Sequence, residues 1–156
     1  MHAAMTCEVR GNRLTLAGAI IENANLVRML DHAKDQRLIL DLGGVTFINS
    51  LGIREWIRMQ QAAANARIAI ELLRVAEPIV HQMNIMPAAR GVSIVTSFFA
   101  PYVCDDCDQE HTMLLDVRMH GADLAKQRAP AMKCPDCNRE MEFADPPELY
   151  FMFLAG

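Results

Sequence analysis

Cys104, Cys107, Cys134 and Cys137 form two C-x2-C pairs separated by 26 residues. Each pair can present two thiolates from one turn, and two such turns converge on a tetrahedral sulfur set. Zinc suits that geometry, and a complete four-sulfur shell leaves no coordination position open for a substrate, so the spacing predicts a structural Zn2+ site. A redox reading of C-x2-C needs a lowered thiol pKa and a positive neighbourhood. Asp105, Asp106 and Asp108 interleave the first pair and oppose it. His111 and His120 lie between the pairs, are surplus to a four-sulfur set, and read as exposed loop or strand histidines. Cys7 stands apart.

The elements that must carry these residues follow from apolar spacing. Residues 5–10 and 13–17 are short alternating runs around Gly11-Asn12, a hairpin signal. Leu26, Met29, Leu30 and Ala33 recur at helical spacing and predict an amphipathic helix over Glu22–Ala33. Arg37–Leu42 reads as a strand buried on both faces, broken by Gly43-Gly44. A second helix is expected over Leu51–Asn65, with Ile53, Trp56, Ile57 and Ala64 on its apolar stripe. A strand over Arg67–Leu73, a helix over Glu77–Met86 with Pro78 in its first turn, and a strand over Gly91–Phe99 complete this part. The order β-β-α-β-α-β-α-β implies an α/β fold with a largely parallel sheet. Beyond it, Gln109–Arg118 and Glu140–Phe143 read as ribbon strands, and Met119–Met132 as a loop.

Composition agrees with two units. Residues 1–100 carry 10 basic and 8 acidic side chains, whereas residues 101–156 carry 5 and 11. The charge shift coincides with the first cysteine pair and predicts an α/β domain over 1–100 and a zinc-ribbon module over 101–156. Four thiolates with one divalent ion add a further net negative charge to the acidic half, which argues against nucleic acid as partner. The chain is 52% hydrophobic and 22% charged, a globular balance. Apolar runs are too short for a membrane span, and the first residues lack the basic start and apolar core of a secretory signal. The expectation is a cytoplasmic protein without membrane insertion. No phosphate loop, nucleophile elbow or H-E-x-x-H pattern occurs, so an enzyme is not expected.

One further stretch is particular: Thr46-Phe47-Ile48-Asn49-Ser50-Leu51-Gly52-Ile53, between the buried strand and the second helix. Asn49 and Ser50 are both good helix N-caps, and Gly52 permits close backbone approach. The segment LILDLGGVTFINSLGIREWIRMQQAA is similar to the central motif of the STAS domain, the fold of bacterial anti-sigma-factor antagonists. There a buried strand ends in Asp-Leu-Ser-x-Val, followed by Phe-Ile/Met-Asp-Ser-Ser-Gly-Leu. Asp41, Leu42, Val45, Phe47, Ile48, Ser50 and Gly52 match it, over a resemblance spanning about residues 5 to 100. Asn49 stands for the Asp, Leu51 for the second Ser, and the family's last helix has no counterpart before the cysteines.

The resemblance implies a mixed sheet with packed helices and a regulatory role. It implies a protein partner, such as an anti-sigma kinase or another signalling protein, bound around Asn49, Ser50, Gly52 and Arg54. In phosphorylated members the matching serine is the acceptor, so Ser50 reads either as a phosphorylation switch or as a helix cap. Other members act as unmodified scaffolds or transport accessories. The closing segment Glu148–Leu154 is densely apolar and reads either as packed back on the protein or as a surface for a homo-oligomer or partner.

Overall fold

The computed structural model describes residues 3–155. Strands β1 (Thr6–Arg10) and β2 (Arg13–Ile20) form the expected antiparallel hairpin, with Gly11 at φ 61° in its turn. Glycine adopts that left-handed conformation without steric cost. Strands β3 (Arg37–Ile48), β4 (Ala69–Leu73) and β5 (Ile94–Val95) follow in parallel, giving the order β1-β2-β3-β4-β5. The sheet is mixed, with an antiparallel edge strand.

Helices α1 (Ser50–Asn65), α2 (Glu77–Ile85) and the short α3 (Pro87–Arg90) connect and cover these strands. Leu14, Leu16, Leu38, Leu40, Leu42, Ile70 and Leu72 alternate inward along the strands and share one buried cluster with Trp56, Met59, Ile79 and Val80. Burying a side chain of this size contributes roughly 1.5–3 kcal/mol. Asp41, on the other alternation of β3, is also buried. It is satisfied by Arg13 Nη2 at 3.4 Å, Arg74 Nη1 at 3.5 Å and the Gly43 backbone N–H at 3.1 Å. A buried carboxylate needs partners of this kind.

A second, antiparallel sheet comprises β6 (Ser97–Cys104), β7 (Gln109–Asp116) and β8 (Glu142–Phe143), in the order β7-β6-β8. The molecule is α/β with this smaller β unit attached. The two sheets meet where β4 ends: Val75 N–H donates to the Ser97 carbonyl at 3.1 Å, and Phe99 N–H to the Val75 carbonyl at 2.9 Å. β6 thus runs across residue 100, and Phe98 packs among Tyr150, Phe151 and Phe153 from the chain's end. Among the described residues no helix is long and apolar enough to cross a membrane.

Several elements differ from the sequence reading. Gly43-Gly44 does not end β3, which continues to Ile48. The glycines serve close approach instead: a Cβ on Gly44 would lie 2.7 Å from the Ala17 Cβ of the neighbouring strand, where the pairing register shifts. The helix expected over Glu22–Ala33 is a 3-10 helix over Leu26–His32. Three residues per turn put i and i+3 in line, so Leu26 and Met29 are buried while Leu30 is only half-buried. On α1 the buried stripe is Gly52, Ile53, Trp56, Met59, Gln60 and Ala63; Ala64 faces out. Gln60 is hidden because Ser93 donates to its side-chain oxygen at 2.7 Å and its amide reaches the Ala89 carbonyl at 3.4 Å. The strand expected over Gly91–Phe99 splits at Thr96 into β5 and β6, because Thr96 N–H still bonds Leu72 of the first sheet. The loop Met119–Met132 contains the short helix α4 (Gly121–Ala125), anchored by buried Leu124. Its approach is turned by Asp116, whose side chain accepts from the Arg118 and Met119 N–H groups.

The terminal segment folds as α5 (Pro147–Tyr150) and a 3-10 turn, Phe151–Leu154, with Tyr150, Phe151 and Phe153 buried. It packs back on the protein. Tyr150 donates its hydroxyl to the Phe99 carbonyl at 2.6 Å, and the Asn84 side chain bonds the backbone of both Tyr150 and Phe153. Burial raises the Tyr150 hydroxyl pKa, with Glu77 and Asp145 adding to it, so the group stays a donor.

Candidate metal centre

The inward alternation of β6 buries Phe98, Ala100, Tyr102 and Cys104 in succession. Cys104 is the last of them and pairs with Gln109, so residues 105–108 form the hairpin turn and carry Cys107. The second pair sits on a turn closed by Cys134 N–H to the Arg139 carbonyl at 2.8 Å and Asn138 N–H to the Cys134 carbonyl at 2.9 Å. The turns share a feature. The residue after each second cysteine, Asp108 at φ 52° and Asn138 at φ 63°, is left-handed. Asp and Asn tolerate that conformation better than other side chains, because their short polar groups bond locally. Arg139 Nη1 reaches Asp106 Oδ1 at 3.3 Å and ties one turn to the other.

These turns bring the four sulfurs together, all within 4.8 Å of one another and none in a disulfide. Cys104 Sγ lies 3.6 Å from Cys137 Sγ, and Cys107 Sγ 3.9 Å from Cys134 Sγ. A tetrahedral ion with metal–sulfur bonds of about 2.3 Å requires sulfur–sulfur edges of about 3.8 Å. The observed edges bracket that value. Cys104 and Cys134 are buried; Cys107 and Cys137 are half-buried.

Burial opposes ionisation of Cys134, but hydrogen bonds from the Cys137 and Asp136 backbone N–H groups, joined by those from the Cys104 and Cys137 side chains, together outweigh it and draw the thiol down to about 6. Hydrogen bonding to the Cys137 and Cys104 sulfurs, followed by burial, pushes Cys107 upward. Cys104 and Cys107 are both shifted toward the thiol form, and a cation reverses that, because it favours the charged form of every sulfur it touches. A closed four-sulfur shell holds an ion for structure and offers no vacant position for a reacting molecule.

Of the two histidines, only His111 comes near. It follows Gln109 by two positions on β7 and so shares its face; its Nε2 lies 3.6 Å from Cys134 Sγ and 3.7 Å from Asp136 Oδ2. Its position between the cysteine pairs predicts an exposed histidine, yet its side chain is only 17% exposed. The period of two along β7 puts it on the face of Gln109, but only the register that pairs Gln109 with Cys104 brings that face to the cysteines. His120 lies at the start of α4 without a capping bond.

The other candidate cluster sits at the start of α1. Asn49 is the N-cap: its side-chain oxygen accepts from the Gly52 N–H at 2.8 Å, and Ile53 N–H bonds its carbonyl at 2.8 Å. The capping role therefore falls to Asn49, and Ser50 is the exposed first residue of the helix. Arg54, one turn on, is exposed. Leu51 is 46% exposed and Phe47 38%. Gly52 is buried against β2, and a Cβ there would collide with the Ile20 carbonyl oxygen. Gly52→Ala is expected to cost about 1–3 kcal/mol, because backbone must move rather than a side chain. Chemical denaturation measures it, and a change under about 0.5 kcal/mol would show that the strand–helix junction yields freely.

Compared with protein-family models and with curated proteins, the chain matches none. Fold and site define it as an α/β protein with a mixed sheet, a small antiparallel sheet and a four-cysteine cluster suited to a metal ion.

Proposed function

We propose that this chain is a non-enzymatic, cytoplasmic protein-interaction module of the anti-sigma-factor-antagonist type, with a structural zinc ion on Cys104, Cys107, Cys134 and Cys137. Residues 1–100 carry the partner surface and residues 101–156 the metal-dependent unit. The observation that supports this most is the start of α1: with Asn49 as cap, Ser50 is exposed beside exposed Leu51 and Arg54. A phosphate on Ser50 would add about −1.5 to −2 charge at pH 7. Amides and dipole at the start of a 16-residue helix accommodate that charge. The fold would tolerate the modification while an apolar or acidic partner surface over Leu51 would not. Zinc is favoured over harder divalent ions because all four donors are thiols. The free thiols also fit a reducing compartment.

The test is affinity capture from the protein's own cells with wild type, Ser50→Asp and Leu51→Asp, alongside a phosphopeptide map of residues 49–54. The expected result is a protein partner retained by wild type and lost at least tenfold by both variants, with phosphate on Ser50 in some growth states. Capture without phosphate identifies an unmodified scaffold, which the Asn49 and Leu51 departures would suit. Equal capture by all three chains would refute the α1 surface.

A further inference from the structure

We propose a second, weaker divalent-cation position beside the four-sulfur set, formed by His111 Nε2, a carboxylate oxygen of Asp136 and Cys134 Sγ as a thiolate shared between two ions. It rests on the reading that the four cysteines hold a first ion.

The three donor atoms lie within 4.8 Å of one another. Around a tetrahedral ion with ordinary bond lengths, a nitrogen–sulfur edge is about 3.5 Å and a nitrogen–oxygen edge about 3.4 Å. The observed separations, 3.6 Å from His111 to Cys134 and 3.7 Å from His111 to Asp136, need little closure. The frame is stiff on one side and adjustable on the other. His111 stands on β7 opposite Tyr102, whose hydroxyl is fixed by the Pro130 carbonyl at 2.7 Å. Asp136 is 61% exposed and can swing its carboxylate inward.

Charge favours occupancy. Four thiolates with one divalent ion carry net −2, Asp136 adds to it, and Asp105, Asp106 and Asp108 stand on the adjoining turn. Arg139, the cation that reaches across the turns, is engaged with Asp106. A thiolate bound to one ion keeps lone pairs for another, and imidazole with thiolate selects borderline ions such as Zn2+, Co2+ or Cd2+ over Ca2+ and Mg2+. Three protein donors leave a fourth position for water, so this ion is exchangeable where the first is enclosed.

The test starts from the full chain loaded with one equivalent of Co2+ and adds more Co2+, read by visible absorption and native mass spectrometry. Wild type is compared with Asp136→Asn and His111→Gln. The expected result is a second equivalent in wild type, bound at least tenfold more weakly than the first, and weakened a further tenfold or more in both variants while the first is unchanged. Wild type saturating at one equivalent overturns the proposal and leaves His111 as an N–H donor to the Cys134 sulfur. A second equivalent of equal affinity in Asp136→Asn overturns it too, and that exposed substitution does not endanger the fold. Failure of the first equivalent to bind sinks the four-sulfur reading itself, a result distinct from either.

Discussion

Replacing Cys104 with serine is expected to abolish stoichiometric metal binding and to destabilise the chain by at least about 4 kcal/mol, a loss characteristic of a removed metal ligand. In a chain of this size that lowers the thermal midpoint by about 10 °C or more. The effect is large because Cys104 is both a donor and the buried end of β6. Its loss removes the ion that joins the two cysteine turns, and binding free energy in such sites is folding free energy. The counterpart in solution is chelation of the wild-type chain followed by hydrogen exchange. Amides in the turns at 105–108 and 135–138 are expected to exchange first, then the rest of 101–156, with β2–β4 last. Release of β2–β4 in the same step would mean that the core shared through β6 unfolds as one.

Phe98→Ala is expected to cost about 3–5 kcal/mol, the range for truncating a buried aromatic. Phe98 is fully buried and its ring meets Phe153 edge-on at 5.0 Å and Phe151 at 5.9 Å, with Tyr150 at 6.5 Å. It also sits where β6 bridges to Val75, so its cavity opens between the two sheets and the terminal segment. Denaturant titration reads the change. Limited proteolysis should then cut after Asp145, because Tyr150, Phe151 and Phe153 lose the ring they pack on. A cost under about 1 kcal/mol would show that the cluster refills the space.

The cysteine site was legible because C-x2-C spacing fixes chemistry and local geometry together. His111 was not, since nothing in its immediate neighbours shows which face of a strand looks toward a turn; register supplies that. The α/β order was legible from apolar periodicity, with elements such as Ser50–Asn65 found to within a residue. The errors have particular causes. Gly43-Gly44 carries the signal of a break, yet in β3 the same lack of a Cβ serves strand contact with Ala17. Gln60 is polar and therefore invisible as a core residue until Ser93 and Ala89 are beside it. The continuous run Gly91–Phe99 gives no hint of changing sheets, because both sheets demand the same extended backbone and differ only in partners. Asn49 and Ser50 have equal capping propensity, and the Gly52 N–H chose Asn49.

The most direct test of the metal reading is X-ray absorption at the zinc edge on the full-length chain purified without added metal. The expected result is one zinc per chain with a first shell of four sulfurs at about 2.3 Å. A chain that carries no metal and keeps its thermal midpoint in strong chelator, or a shell dominated by nitrogen and oxygen, would contradict it.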